Sequence, residues 1–100
     1  MTHPSLREII PSAGRRNLLI CLLDGAEGVP KRYRIRELSK ITDYNGGNAH
    51  KIILAWVKQG LVIREEENFP EYVQPIPFYS INKKHPLFEA LYKLINDSRV

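Results

Sequence analysis

The stretch from Asn45 to Ile63 constrains the fold of this chain more than any other part of its sequence. Apolar residues recur every three or four positions after Asn45, which is the spacing of one face of an α-helix. These residues are Ala49, Ile52, Ile53 and Trp56. Gly60 then favours the left-handed backbone that ends a helix, and the apolar residues after it suit a strand. The pattern predicts a helix over 46–59, capped by Asn45, that passes directly into a β-strand.

The opposite face of this predicted helix is polar near its N-terminal end. Asn48, His50 and Lys51 lie there. Gly46 and Gly47 precede them and allow a backbone to approach another molecule closely. This distribution is typical of a helix that packs on a core with one side and uses its front end for contact.

Length and composition indicate one cytoplasmic domain. The chain has 100 residues, of which 43% are hydrophobic and 26% charged, enough for a modest core in a soluble protein. The apolar run Leu18–Leu23 is too short to cross a membrane, and no signal-peptide pattern begins at Met1. The lone cysteine, Cys21, lies inside this run, so we expect a buried and unreactive thiol.

Positive charge is concentrated in the first part of the chain. Residues 1–60 contain ten Lys and Arg against five Asp and Glu, a net charge of +5, whereas residues 61–100 have five against six, a net −1. Such asymmetry fits a surface that binds a polyanion, although many basic proteins have no nucleic-acid partner. Charge therefore needs the support of a suitable fold.

The elements before Asn45 are predicted to be two helices and a short strand. Residues 1–14 are interpreted as an N-terminal arm, and the first helix contains Leu18–Leu23 and stops at Asp24-Gly25. Tyr33 and Ile35 then alternate with arginines as in a brief basic strand.

A second short helix is predicted to point Leu38 and Ile41 inward. The turn residues 42–45 join it to the helix over 46–59, and two helices linked in this way form the core of a helix-turn-helix.

The residues after Gly60 predict a β-hairpin and a final helix. The strands lie in LVIREE and FYSIN, and the prolines of the tip between them are expected to forbid a continuous ladder. The final helix, over 86–97, has Pro86 at its first position. Its apolar band is wide for a last element and contains Leu87, Phe88, Leu91, Tyr92, Leu94 and Ile95.

Three segments in this order resemble the winged helix-turn-helix family of DNA-binding domains over about residues 15–97. They are RIRELSKIT, NGGNAHKIILAWVKQGLVIRE and FYSINKKHPLFEALYKLI. They are similar to the second helix, the recognition helix with its step into the wing, and the wing return with terminal helix of small prokaryotic, especially archaeal, ArsR- and MarR-like regulators. The resemblance implies a mainly α fold with a three-helix core, a two-stranded wing and a C-terminal helix, in which residues 15–100 form the domain.

The resemblance also implies a transcription regulator that reads the major groove of double-stranded DNA with the helix over 46–59. Asn45 would serve as the N-cap rather than as a base contact, and Gly46 and Gly47 would leave amides open to a phosphate. The residues expected to face the groove are Asn48, His50 and Lys51. For Lys40, Arg34 and Arg36, phosphate contact and plain solvated charge remain equal alternatives. The spacing of Trp56 with Ile52 and Ile53 favours the core.

A homodimer is expected, because modules of this size usually present two recognition helices to two half-sites. The excess apolar face of the final helix is the candidate interface. Leu6, Ile9 and Ile10 of the arm would pack beside it or, alternatively, cover it within one chain.

The wing departs from the family pattern, because Arg64–Pro77 has one positive and four negative residues, a local charge of −3. Such an arm is expected to point away from DNA. Its tip residues Phe69, Tyr72, Val73 and Ile76 would suit a protein partner or the dimer mate, or would fold back over the core. The alternative function is therefore a winged helix that binds protein as a subunit or adaptor of a larger complex.

Other chemistries find little support in the sequence. His3, His50 and His85 are far apart and have no Cys or carboxylate at ligand spacing, so no metal site is expected. Gly46-Gly47 lacks the flanking pattern of a phosphate-binding loop. Without a nucleophile beside a base, we expect no enzyme and no cofactor.

Overall fold

The computed structural model describes residues 13–98, except for the side chain of Ser98. Residues 1–12, with Leu6, Ile9 and Ile10 of the predicted arm, lie outside the described residues, whereas Ala13 and Gly14 belong to the first helix. The elements in chain order are α1 (Ala13–Asp24), α2 (Ile35–Thr42), α3 (Gly46–Lys58), β1 (Val62–Glu67), β2 (Ile76–Ile81) and α4 (Phe88–Ser98). The strands form one antiparallel two-stranded sheet. The fold is thus mainly α with a small β-hairpin, in the order of a winged helix-turn-helix, and the expected fold class is confirmed.

Helix α1 is the centre of the core. Its buried residues are Leu18, Leu19, Cys21, Leu22 and Leu23, and helices α2 and α3 pack on them. A helix that buries most of its circumference needs apolar residues at nearly every position, which explains the unbroken run in the sequence. Burial raises the pKa of the Cys21 thiol, so the thiol stays protonated and unreactive, as its position in the run predicts.

The short strand predicted around Tyr33 and Ile35 is wrong in extent. Tyr33 alone pairs with Tyr79, through two backbone hydrogen bonds of 2.7 and 2.8 Å. Arg34 already has the extended backbone of a helix N-cap, and its N–H donates to the Glu37 carboxylate at 3.0 Å. Because Glu37 satisfies the amide that precedes the helix, α2 begins at Ile35 and leaves no residues for a longer strand.

The inward position predicted for Ile41 is also wrong. Leu38 is fully buried, whereas Ile41 is 59% exposed. Residues three apart on a helix differ by about 60° around its axis, so a helix of two turns can bury one of them and expose the other. Here Ile35 packs against the core beside Leu38, which turns Ile41 towards solvent.

The turn between α2 and α3 is held by Ser39 and Tyr44. The Ser39 hydroxyl donates to the Tyr44 carbonyl at 2.5 Å, and the Tyr44 N–H donates to the Ser39 carbonyl at 3.1 Å. Asp43 between them has a left-handed backbone with φ of 52°, which Asp tolerates better than most residues. The Tyr44 ring packs on Gly14 of α1 so closely that a Cβ there would lie 2.1 Å from it. These contacts set the angle at which α3 leaves the turn.

Both predicted ends of α3 are confirmed. The Asn45 side chain accepts a hydrogen bond from the Asn48 N–H at 3.1 Å, as an N-cap does. At the other end Gly60 has a φ of 77°, and its N–H donates to the Val57 carbonyl. The Leu61 N–H donates to the Trp56 carbonyl, which completes a Schellman motif. The helix therefore stops at Lys58 and the chain turns into β1.

The hairpin ladder continues past one of the tip prolines, contrary to the expectation. Pro77 lies opposite Glu66 inside the paired region. The backbone of Tyr79 bonds to Tyr33, so it points away from β1. The direction of the backbone groups alternates from one residue to the next, so residues two apart point to the same side. The nitrogen of Pro77 therefore also points away from β1, and its missing N–H interrupts no bond of the hairpin.

The last helix begins two residues later than predicted. The N–H groups of Leu87 and Phe88 donate to the ring and the carbonyl of His85, so Pro86 and Leu87 belong to a turn and not to the helix. Leu87 is consequently 56% exposed. Phe88, Leu91 and Ile95 are buried, as the apolar pattern predicts.

Candidate nucleic-acid interface

The outward side of α3 is a continuous exposed surface. Asn48, His50 and Lys51, which the sequence analysis assigns to contact, are all exposed. Ala49, Ile52 and Ile53 are buried on the other side. The helix has a buried face and an opposite exposed face because apolar residues at three- and four-residue steps leave the remaining positions facing solvent.

Sequence reasoning missed two residues of this exposed surface, Leu54 and Lys58. Gly47, Lys51, Leu54 and Lys58 follow one another at steps of four, three and four residues, so they form one stripe directly opposite the buried face. All four are exposed, and Leu54 is 39% exposed despite its apolar side chain. The signal was present in the sequence, since the same spacing identifies the buried face. Asn48 and His50 flank this stripe on its two sides.

The first turn of α3 is open to a ligand. Asn45 uses its side-chain oxygen for the Asn48 amide, which supports its reading as a cap. The amides of Gly46 and Gly47 precede Asn48 and have no partner within a helix of this geometry. A Cβ at Gly46 would meet only an ordinary contact, at 3.7 Å from Ser39, so internal packing does not require glycine there.

A groove beside the exposed stripe brings α1 and α3 together. It measures about 260 Å³ and is lined by Arg15, Lys51, Ile52, Ala55, Trp56 and Gln59. Trp56 packs against the core, as its spacing predicts, but it is only partly buried and also lines the groove. Arg15 was not singled out from sequence, since only the packing of α1 on α3 places it near Lys51.

The other predicted basic residues lie on or before α2. Arg36 and Lys40 are exposed and four residues apart, so they share the solvent side of this helix opposite Leu38. Arg34 is half-buried, because its backbone forms the N-cap of α2. Arg36 and Lys40 thus lie in the first helix of the helix-turn-helix and Arg34 caps it; in such motifs this helix crosses the phosphate backbone.

The acidic arm of the hairpin is partly neutralised by two arginines. Arg32 lies 2.8 Å from the Glu67 carboxylate and 3.8 Å from that of Glu65, while Arg64 lies 2.7 Å from Glu66. All these groups are substantially exposed, so each pair stabilises the fold by only about 0–1 kcal/mol. Glu65, Glu66 and Glu67 therefore contribute little to stability, and their main effect on an approaching ligand would be electrostatic.

The hairpin tip is divided between packed and exposed aromatic residues. Phe69 packs against Tyr72 and Phe78, with ring centres 6.3 and 6.2 Å apart, and Arg32 lies over the Phe78 ring. Tyr72 is 54% exposed, and Val73 is fully exposed. The tip is thus braced by Phe69 on the sheet, while two of its hydrophobic side chains face solvent.

Over residues 13–98, no three His, Cys, Asp or Glu side chains come together as a metal site requires. None of the helices in that range is long and apolar enough to cross a membrane.

The fold has a counterpart among solved structures, whereas no protein-family model and no curated protein matches the chain. A protein described as a possible transcriptional regulator from Methanosarcina mazei Go1 superposes with a TM-score of 0.65 over 88% of this chain and 70% of its own. The sequences are 12% identical, so the likeness concerns the fold alone. The chain thus shares its fold, mainly α with a two-stranded hairpin, with that protein.

Proposed function

We propose that this protein binds double-stranded DNA through α3 and regulates transcription in the cytoplasm. The observation that supports the proposal is the exposed stripe on α3, with Lys51 at its centre and the capped, open helix start at its end. In a helix-turn-helix the second helix enters the major groove and its N-terminal residues meet base edges. Asn48, His50 and Lys51 occupy that part of α3.

The proposed contacts divide into base-reading and phosphate-binding groups. An Asn side chain can bond adenine bidentately, and Lys reaches guanine acceptors, so Asn48 and Lys51 are the candidate specificity residues together with His50. The amides of Gly46 and Gly47 would bind one phosphate at the positive end of the helix dipole. Further phosphate contacts are proposed for Arg34, Arg36 and Lys40, and for Arg15 and Lys58, which the structure adds.

The test is a titration of DNA affinity against salt. A sequence is first selected from random duplexes, and its affinity is then measured from about 50 to 200 mM salt. Neutralisation of four to six phosphates per domain predicts a log–log slope of roughly −4 to −5. An affinity that barely responds to salt would reject the proposal.

We further propose that the regulator binds DNA as a homodimer, with two chains on each selected site, which would double the salt slope expected for one domain. Little of the apolar band of α4, the candidate interface, lies on the exposed side of this helix. The described outward side of α4 is polar at Glu89, Lys93 and Asp97, and Leu87 is its exposed apolar neighbour. We also propose that the protein is related to the small prokaryotic ArsR- and MarR-like regulators that its sequence resembles.

The acidic hairpin is proposed to point away from the bound DNA. Changing Glu65, Glu66 and Glu67 together to Gln removes three negative charges but leaves polar partners for Arg32 and Arg64. We expect DNA affinity to rise modestly and by the same factor for every sequence, because only the long-range field changes. Competition between the selected duplex and a scrambled duplex measures this factor. A loss of affinity, or a changed preference, would show that the hairpin touches DNA.

The second candidate function is protein binding through the hairpin tip. It is favoured by the exposure of Tyr72 and Val73 beside an acidic strand, since aromatic residues are enriched at protein interfaces. A protein adaptor of this kind would show weak DNA affinity without sequence preference. The selection experiment therefore separates the two functions.

A further inference from the structure

The turn between β2 and α4 binds the C-terminal end of α3. The Asn82 side-chain amide donates to the Gly60 carbonyl at 2.8 Å, and the Asn82 N–H donates to the Leu61 carbonyl at 2.8 Å. The ring of His85 lies next to them, with Nε2 3.1 Å from the Gln59 carbonyl. Three successive carbonyls after the end of α3 are thus satisfied by two residues of one turn, where a helix normally leaves such groups to solvent.

The same histidine also holds the start of α4. Its Nδ1 atom lies 3.1 Å from the Leu87 N–H, which can only donate. Nδ1 is therefore unprotonated, and the ring proton lies on Nε2, from which it is donated to the Gln59 carbonyl. Asn82 fixes the turn itself by accepting the Lys84 N–H at 3.0 Å and the His85 N–H at 3.1 Å.

We propose that His85 is a positioning residue for the DNA-reading helix, since as a neutral ring it joins the end of α3 to the start of α4. This inference rests on the proposed function, because it assigns α3 to DNA and α4 to the dimer. With both helices held by one ring, the reading helix keeps a fixed orientation relative to the element that would meet the partner copy. Two half-sites can then be read at one spacing.

The neutral ring is required because each nitrogen has a different role. A protonated imidazole donates from both nitrogens, so it keeps the Gln59 carbonyl, whose place at a helix C-terminus favours a cation. The protonated ring can no longer accept a hydrogen bond from the Leu87 N–H, because Nδ1 and the Leu87 amide are then both donors. Protonation would consequently remove this one hydrogen bond at the start of α4 while the end of α3 stays bound.

The charged groups on the joined elements have mixed signs. Lys58 lies in the last turn of α3, Lys83 and Lys84 lie in the connecting turn, and Glu89 lies in the first turn of α4. Lys83 donates to the Gly28 carbonyl and is thereby directed towards the loop after α1.

Three substitutions separate the roles of the ring. His85→Gln supplies one neutral donor and one acceptor that do not titrate, His85→Lys supplies a permanent cation that only donates, and His85→Ala supplies neither. The first readout needs no DNA: nitrogen NMR shifts of His85 report its tautomer, and amide exchange gives the protection of Leu87. We expect the Nε2–H tautomer at about pH 7.5, and roughly five- to tenfold weaker protection of Leu87 at about pH 5.5, as for one lost hydrogen bond.

The second readout is the affinity of each chain for its selected two-half-site duplex at the same two pH values. His50 is present in the parent and in all three variants, so any effect of pH through His50 cancels when each variant is compared with the parent. The parent should match His85→Gln at the higher pH and fall roughly five- to tenfold below it at the lower pH, the change that one hydrogen bond produces. His85→Lys and His85→Ala should be weaker than His85→Gln at both.

The two readouts distinguish the possible failures. If no chain binds DNA, the proposed function fails, while the NMR readout still decides whether the ring joins the two helices. If His85 titrates but the protection of Leu87 does not change, the coupling is wrong. If the protection changes and the ratio of parent to His85→Gln affinity stays constant with pH, the ring holds the fold without positioning the DNA-reading helix.

Discussion

Replacing Ile53 with alanine is expected to lower the free energy of unfolding by about 2–5 kcal/mol, the range for large-to-small changes in a core. Ile53 is fully buried on α3, where the helix packs against α1. The truncated side chain leaves a cavity that the surrounding leucines of α1 fill only in part. Urea denaturation, with the midpoint and the slope both fitted, measures the effect.

Leu54→Ala is the matched control. It removes a similar number of methyl groups from the next residue of the same helix, but Leu54 is already 39% exposed on the outward stripe. We expect a change well below that of Ile53→Ala, of about 1 kcal/mol or less, since a substantial part of the Leu54 surface stays in water and its truncation leaves no enclosed cavity. Equal destabilisation by the two variants would contradict the assignment of the two faces. Trp56→Ala should fall between them, because Trp56 is only half-buried.

Replacing both His50 and Lys51 with alanine is expected to weaken binding to the selected duplex without loss of stability. Both side chains are exposed, so their removal leaves no cavity. A base contact contributes about 1–3 kcal/mol, and its loss relaxes the preferred sequence at one position. Loss of a phosphate contact weakens binding to all duplexes alike and reduces the magnitude of the salt slope by about one. Fluorescence anisotropy on the selected and a scrambled duplex separates the two effects.

Lys84→Ala in the turn before α4 is the control for charge. It changes the net charge by the same one unit as the double variant, but at an exposed side chain that is not proposed to touch DNA or a partner copy. It should reduce affinity only slightly, through the long-range field. Unchanged affinity in the double variant, or an equal loss in Lys84→Ala, would falsify α3 as the reading helix.

The local chemistry of the sequence was sufficient to predict most elements of the fold. Asn45 caps α3 because its side chain can reach an amide only three residues away, and Gly60 ends the helix because it adopts a positive φ without a steric penalty. The apolar run in α1 and the three- and four-residue spacing in α3 predict burial from periodicity alone. Each of these features depends on residues within about one helical turn, so no knowledge of distant contacts is required.

Some predictions failed where the burial of a residue depends on its neighbours in space. Ile41 and Leu87 continue apolar patterns, yet both are exposed, because α2 is only two turns long and the turn at His85 delays the start of α4. Pro77 is accepted in β2 because the pairing of Tyr79 with Tyr33 determines which way its nitrogen points. Such directions follow from strand register, which the sequence of one strand does not contain.

The candidate site likewise combines features that the local sequence predicts with features that only tertiary packing decides. Periodicity alone places Asn48, His50 and Lys51 on the outward side of α3, and it would have identified Leu54 and Lys58 by the same rule. Only tertiary packing could bring Arg15 beside Lys51, or carry His85 across 26 positions of the chain to the Gln59 carbonyl. Contacts of this kind depend on how whole elements dock, because the docking of α1, α3 and the hairpin sets the distances between side chains that the local sequence leaves free.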